Sequence, residues 1–158
     1  MSSVEFVRDI VQPNARAGAE SAGRDPDALV FPVAATVSIN SDVQSARDAT
    51  RASICKLFHP IPHPYYDSQL RQLGFGEFAD EAAQLMPAGR MREAMDLVPD
   101  EVIDSMTITG NLEDCVARIK EYEGIADEII LARTAQRGDA KGMAAYEGLF
   151  ELVDRVSG

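Results

Sequence analysis

Residues 106–132 run through an apolar–polar alternation, a glycine, an amphipathic stretch, a second glycine and an unbroken apolar run. That order constrains the fold more than any other feature of the chain, because it specifies one strand–helix–strand unit. Met106-Thr107-Ile108-Thr109 alternates with the period of a strand, and Gly110 supplies a permissive turn. Asn111 followed by Asp114 sets a capping side chain and negative charge at a helix start, where orphan amides and the positive dipole end favour both. From there Leu112, Cys115, Val116, Ile119 and Tyr122 recur at steps of three and four, drawing one stripe for burial against a sheet. Gly124 stops the helix. Glu128-Ile129-Ile130-Leu131-Ala132 then lacks alternation, which predicts a strand of a parallel sheet covered on both faces.

The same patterning extends upstream. Residues 4–22 predict a helix with Phe6, Val7, Ile10 and Val11 on one face, a bend or break near Pro13, and a stop at Gly23. Pro32 cannot donate to a ladder, so the next strand is expected to start at Val33 and run to Ser38 or Ile39. Ser41 with Gln44 fits a capping box for a helix whose buried stripe is Val43, Ala46, Thr50, Ile54, Leu57 and Phe58. Residues 67–104 predict short helices separated at Gly74, Gly76, Pro87, Gly89 and Pro99, with Pro99 in the first turn of a helix ending near Ser105. Met86, Met91 and Met95 read as adaptable core fillers. At the far end Met143, Tyr146, Leu149, Phe150, Val153 and Val156 form the stripe of a terminal helix covering the sheet. No repeat or domain boundary interrupts residues 1–158, so a single domain is expected.

Charge narrows the class of partner. Fifteen Lys and Arg against 26 Asp and Glu give a net charge of −11, which repels nucleic-acid phosphates and anionic lipid. No apolar run approaches the ~20 residues that span a bilayer, and the chain opens without a basic region followed by an apolar one. A cytoplasmic protein follows as the expectation. Cys55 and Cys115 each fall on the apolar side of a predicted helix, as core thiols do.

The segment His59-Pro60-Ile61-Pro62-His63-Pro64-Tyr65-Tyr66 has prolines at alternate positions and predicts an extended, rigid linker. Its plain reading packs Ile61 and a tyrosine onto the core. Its sharper reading places His63, Tyr65 and Tyr66 at the mouth of a pocket. The two histidines do not share a helical face, so no metal site is expected there. Gly110 and Asn111 at a helix start could present amides to a phosphate of a cofactor, although Asn111 can also cap the helix itself. Arg133 and Arg137 follow a strand directly, a place where barrels can hold a substrate anion. Dinucleotide, nucleoside-triphosphate and zinc-hydrolase signatures are absent from the sequence, and it singles out no catalytic residue.

The stretch TGNLEDCVARIKEYEGIADEIIL resembles the closing segment of luciferase-like monooxygenases, the family that includes deazaflavin F420-dependent reductases and FMN-dependent oxidoreductases. Ala22-Gly23-Arg24-Asp25-Pro26, the strand Val33-Ala34-Ala35-Thr36-Val37-Ser38 and the helix holding Ala46, Ala49 and Arg51 are similar to the same family in the same order. The likeness extends over residues 4–156.

That resemblance implies an α/β chain forming the C-terminal part of a TIM (β/α)8 barrel, with two or three parallel strands and many helices. A whole barrel takes ~250 residues. The 158 residues here therefore correspond to its second half, with residues 59–104 as a helical, lid-like insertion at the active-site end. In the family most groups touching the flavin or deazaflavin ring lie on earlier strands. The resemblance thus implies an oxidoreductase, monooxygenase or reductase, using FMN or F420 on a small-molecule substrate, with the main cofactor-binding half lying outside this chain. On that view the chain by itself binds a cofactor weakly or not at all. Open strand edges suggest a second class of function, a non-catalytic half-barrel that dimerises or joins a complementing half-barrel. A third possibility is a stand-alone small α/β domain.

Overall fold

The computed structural model describes residues 2–134, 143 and 146–157. Three parallel strands form one sheet in the order β2-β1-β3, with β1 at Pro32–Ile39, β2 at Thr107–Gly110 and β3 at Glu128–Arg133. The central strand pairs Thr36 to Ile39 with Thr107 to Gly110 on one side, and Pro32 to Val37 with Glu128 to Arg133 on the other. Only the C-terminal half of β1 is therefore flanked by β2.

Strand order fixes the layers. The step from β1 to β2 and the step from β2 back past β1 to β3 run in opposite directions, so right-handed connections put their helices on opposite faces. Helix α8 (Leu112–Lys120) packs on the face carrying Val33, Ala35, Val37 and Ile108, together with α1 (Val4–Phe6) and the terminal helix α9 (Glu147–Ser157). Helix α3 (Val43–Cys55) lies on the other face, where Ser38 Oγ donates to the Ala46 carbonyl at 3.0 Å and Thr50 Oγ1 meets Thr109 Oγ1 at 2.8 Å.

Three hydroxyls under α3 have a fixed polarity. Thr107 Oγ1 donates to the Ile103 carbonyl at 2.7 Å, so toward Thr109, 2.9 Å away, it can only accept. Thr109 must then donate to Thr107 and accept from Thr50. The chain Thr50 to Thr109 to Thr107 uses every proton in one direction and lets the polar face of β2 be buried without orphaned donors.

Residues 59–104 contribute most of a second core. Helices α4 (Pro64–Gln72), α5 (Gly76–Leu85), α6 (Met91–Asp96) and α7 (Asp100–Met106) enclose Phe58, Leu70, Phe78, Ala82 and Val102, and α3 joins them through Ile54 and Cys55. Phe58 and Phe78 meet edge-on with centroids 5.8 Å apart. Arg47 bridges from α3 to Asp104 of α7 at 2.7 Å, and Arg51 pairs with Asp100 beside it. Within this cluster the Gln69 side chain is fully buried, and neither amide atom has a hydrogen-bond partner among the described residues.

Several expectations are corrected. The first helix does not break at Pro13. A π turn over Val7–Val11 with Gln12 N–H bonded to the Val7 carbonyl leads into α2 (Gln12–Ser21), and proline falls at the start of α2, where its missing donor costs least. Asp42, not Ser41, caps α3, its carboxylate accepting from the Gln44 amide at 3.1 Å. Met106 closes α7 and is buried, so helix passes into strand without a linker. The extended path ends earlier than predicted, because Pro64 begins α4 and carries Tyr65 and Tyr66 on a helix. Ile61 is 74% exposed rather than packed. Pro99 is the N-cap of α7. On α9 the buried side chains are Leu149 and Leu152, while Phe150 and Val153 face outward.

The largest departure concerns β3. Its residues alternate between exposed and half-buried, and Ile130 is 56% exposed. Ile129 and Leu131 pack under the helices, but Pro32, Ala34, Ile130 and Ala132 share the opposite face, and all four are exposed. The apolar run has the composition of a doubly covered strand, and in the described residues only one cover is present.

Candidate functional site

All three strands end at one edge of the sheet. Ile39 pairs with Gly110, Asn40 N–H donates to the Gly110 carbonyl at 3.0 Å, and Thr134 N–H donates to the Val37 carbonyl at 2.8 Å. In parallel α/β sheets ligands meet this edge, because loops there converge while the strands hold them rigidly. The edge gathers Asn40, Gly110, Asn111, Arg133 and Thr134. The sequence reading named Gly110, Asn111 and Arg133; it missed Asn40 and Thr134, which become visible only when register aligns the strand ends.

The Gly110–Asn111 corner is a closed capping box. Asn111 Oδ1 accepts from the Asp114 amide at 3.0 Å, and Asp114 Oδ2 accepts from the Asn111 amide at 3.0 Å. Gly110 has φ +152°, and a Cβ built there would stand 2.6 Å from Asp114 Oδ2. Glycine is required because the carboxylate fills the space a side chain would use. Two amides that could face a phosphate are thus already bonded, and Glu113 and Asp114 add negative charge. This corner does not fit a cofactor phosphate.

Arg133 has the parity of Ile129 and Leu131, the helix-covered face. Its Nη1 donates to the Thr134 carbonyl at 3.0 Å, and its guanidinium lies 5.3 Å from the Tyr146 ring centroid. Thr134 is only 5% exposed, and its hydroxyl has no hydrogen-bond partner among the described residues. Arg137, expected beside Arg133, lies outside the described residues.

His63, Tyr65 and Tyr66 stand together away from these contacts. Tyr66 lies 5.0 Å from the His63 ring and 5.1 Å from Tyr65. Tyr65 meets Phe6 edge-on at 6.1 Å, and its hydroxyl is 3.0 Å from Ser2 Oγ. Burial, and then the neighbouring Tyr65, raise the Tyr66 phenol above its ordinary value. The cluster docks α4 onto the first turn of α1. Among the described residues a cleft of ≈ 460 Å³ lies between α3 and α6 and is lined by Arg51, Met91, Arg92 and Met95. Another, of ≈ 400 Å³, runs beside β2 along Asp104, Thr107, Asp114 and Arg118, and one of ≈ 270 Å³ lies along Phe75, Phe78 and Leu97. None of these three is lined by His63, Tyr65, Tyr66 or Arg133.

The thiols are the nucleophiles best hidden from solvent. Cys55 and Cys115 are both fully buried. Burial pushes Cys55 up to about 11 and, with Asp114 adding repulsion, Cys115 up to about 12. The folded state therefore keeps its protons at pH values where the unfolded chain releases them. Stability from this source is complete below the ordinary thiol value of 9.0 and is lost as pH rises from there toward 11. Urea midpoints measured from pH 7 to 10.5 should hold steady and then fall above about 9, and a Cys55→Ala, Cys115→Ala variant should flatten that fall. A decline of equal size in the variant removes the thiols as its cause.

Comparison with known proteins places this geometry. The family model described as luciferase-like monooxygenase matches residues 8–128. A protein of Mycobacterium tuberculosis named as a coenzyme F420-dependent oxidoreductase is 28% identical over 69 residues, 42% of this chain and 20% of that protein. The solved coenzyme F420-dependent tetrahydromethanopterin reductase from Methanopyrus kandleri superposes with a TM-score of 0.72 at 23% identity, covering 96% of this chain and 41% of its own. An F420-dependent secondary alcohol dehydrogenase, solved with an F420–acetone adduct, gives a TM-score of 0.64 at 16% identity, covering 98% of this chain and 41% of its own. The chain thus spans less than half the length of each of these three proteins, and its fold is the corresponding part of a barrel.

Proposed function

The chain belongs to the luciferase-like monooxygenase family, and on that premise we propose that it is the C-terminal portion of an F420- or flavin-dependent oxidoreductase acting on a small molecule. What carries the reading is its match to this part of the barrel across nearly its whole length, at an edge where parallel strand ends converge. The names of its relatives favour F420 over FMN. Such a cofactor supplies hydride chemistry; the protein supplies position and electrostatics. The closed capping box at Gly110 and Asn111 gives no ring or phosphate contact, so we assign the cofactor to the part of the barrel outside this chain. Tyr65 meets Ser2, which also takes the Tyr122 hydroxyl at the far end of α8, so His63, Tyr65 and Tyr66 stand at the edge where the strands begin and are given no part in shaping substrate access. Thr134 with Arg133 are proposed as the nearest polar groups at the strand ends. Among the described residues no helix is long and apolar enough to cross a membrane, and a cytoplasmic location is proposed with the enzyme reading.

The test is a titration of the purified chain with F420 and with FMN, followed by fluorescence. The expected result is no saturable change with either. Stoichiometric binding would place a complete ring site within these residues and overturn the division of labour.

A second reading is a half-barrel module that associates with a copy of itself or with a complementing half-barrel; it draws on β3 being an outer strand of the sheet among the described residues, with Ile130 56% exposed.

A further inference from the structure

We propose that the cleft of ≈ 270 Å³ along α5 binds a small amphipathic cation, a primary ammonium carried on an aromatic or branched aliphatic body. This inference rests neither on the cofactor assignment nor on the module reading. Every residue lining the cleft falls within residues 74–99 and is described, so no strand edge and no part of the stretch after β3 enters it.

The walls are apolar and come from helix ends. Phe75 is the N-cap of α5 and Phe78 lies in its first turn, while Leu97 is the C-cap of α6 and Pro99 the N-cap of α7. Phe78 belongs to the helical core, held edge-on by Phe58, whereas Leu97 keeps 41% of its surface open. An apolar body entering the cleft takes that open surface out of water. The volume lies just below the ~300 Å³ at which pockets begin to hold drug-sized ligands, so it suits one ring or a short branched chain. With seven lining residues it is also far smaller than one side of a protein interface, which takes about 20 or more.

The rim sets the charge of the ligand. Glu77 and Glu81 line the same cleft one helical turn apart, both exposed, and neither side chain has an ion pair or a hydrogen bond among the described residues. On the same helix Asp80 is paired, with Arg71 at 2.7 Å. Glu77 has a reason in the fold, because a carboxylate in the first turn of α5 meets the positive end of the helix dipole. Glu81 has no such reason, and like charges at that spacing repel. A cation seated between the two carboxylates turns the repulsion into attraction to both, while its apolar body lies against Phe75 and Leu97. The net charge of −11 on the chain works in the same direction, drawing cations toward the surface and keeping anions out of the cleft.

A heteronuclear NMR titration of the full chain with phenethylammonium, followed at the backbone amides, tests the proposal, with phenethyl alcohol and methylammonium as the probes that lack the charge and the body. Saturable shifts centred on residues 74–99 are expected, with a dissociation constant on the order of 1 mM for a ligand of about nine non-hydrogen atoms. Each control should bind at least about tenfold more weakly. Glu77 and Glu81 are exposed, so Glu77→Gln and Glu81→Gln should each retain the circular dichroism spectrum while weakening phenethylammonium about threefold, and about tenfold together. Leu97→Ala should weaken it as well, through the wall. An absence of saturable shifts overturns the proposal, as do shifts centred elsewhere, an alcohol that binds as tightly as the ammonium, or a double glutamine variant that binds as the parent does. The F420 and FMN titration reads the cofactor assignment separately, and neither outcome decides the other.

Discussion

Gly110→Ala lowers the free energy of unfolding by about 3 kcal/mol, the sum of backbone strain at a disfavoured φ and of a lost helix cap. The methyl group has nowhere to go, since it would lie 2.6 Å from Asp114 Oδ2 and 2.7 Å from Asp114 Cβ. Relief requires Asp114 to swing away, which opens the capping box and frees the Asn111 amide. Gly124→Ala is the matched control: its φ of +75° is also positive, but nothing stands within 4 Å, so conformational strain alone costs about 1 kcal/mol. Urea unfolding of the two variants should separate them by about 2 kcal/mol. Equal losses would mean that Asp114 yields freely and that the corner is looser than its hydrogen bonds indicate. The comparison also bears on function, because only an opened corner offers amides to an anion.

Phe58→Ala costs about 4 kcal/mol, the range for emptying a fully enclosed aromatic site. Phe58 is 1% exposed and sits where α3 meets the helices of residues 59–104, edge-on to Phe78. The damage should be local. The sheet core and this helical core are separate clusters, so native-state hydrogen exchange should show amides of α4 and α5 opening before those of β1 and α8. Uniform loss of protection would make the two cores one cooperative unit.

The strand–helix–strand unit at residues 106–132 was legible because its signals are local. Asn111 and Asp114 lie one helical turn apart and need nothing else to form a cap, and the stripe from Cys115 to Tyr122 is a matter of spacing. The N-cap of α3 was misplaced by one residue, since Ser41 and Asp42 offer the same chemistry and only the backbone path chooses between them. Pro64 falls within the extended linker that the alternating prolines predict as far as Tyr66. The same residue suits the first position of a helix, and the packing of Leu70 decides for the helix. In the site, Gly110 and Arg133 could be named from their places after strands, but Thr134 could not. Its isolation follows from burial at a strand end, and burial is a property of neighbours. Nor could Gln69, whose unpaired amide reflects what α4 packs against.

The sequence by itself determined where all three strands and most helices lie, the position of α8 and its cap, the burial of both cysteines and the family, because each rests on spacing or on short motifs. Tertiary structure alone decided that β1 lies between β2 and β3, that α3 and α8 cover opposite faces, and that among the described residues only one face of β3 is covered. An apolar run records that a strand can be covered on both sides. Whether it is covered depends on which other segments arrive, and that information resides in long-range packing and not in the run.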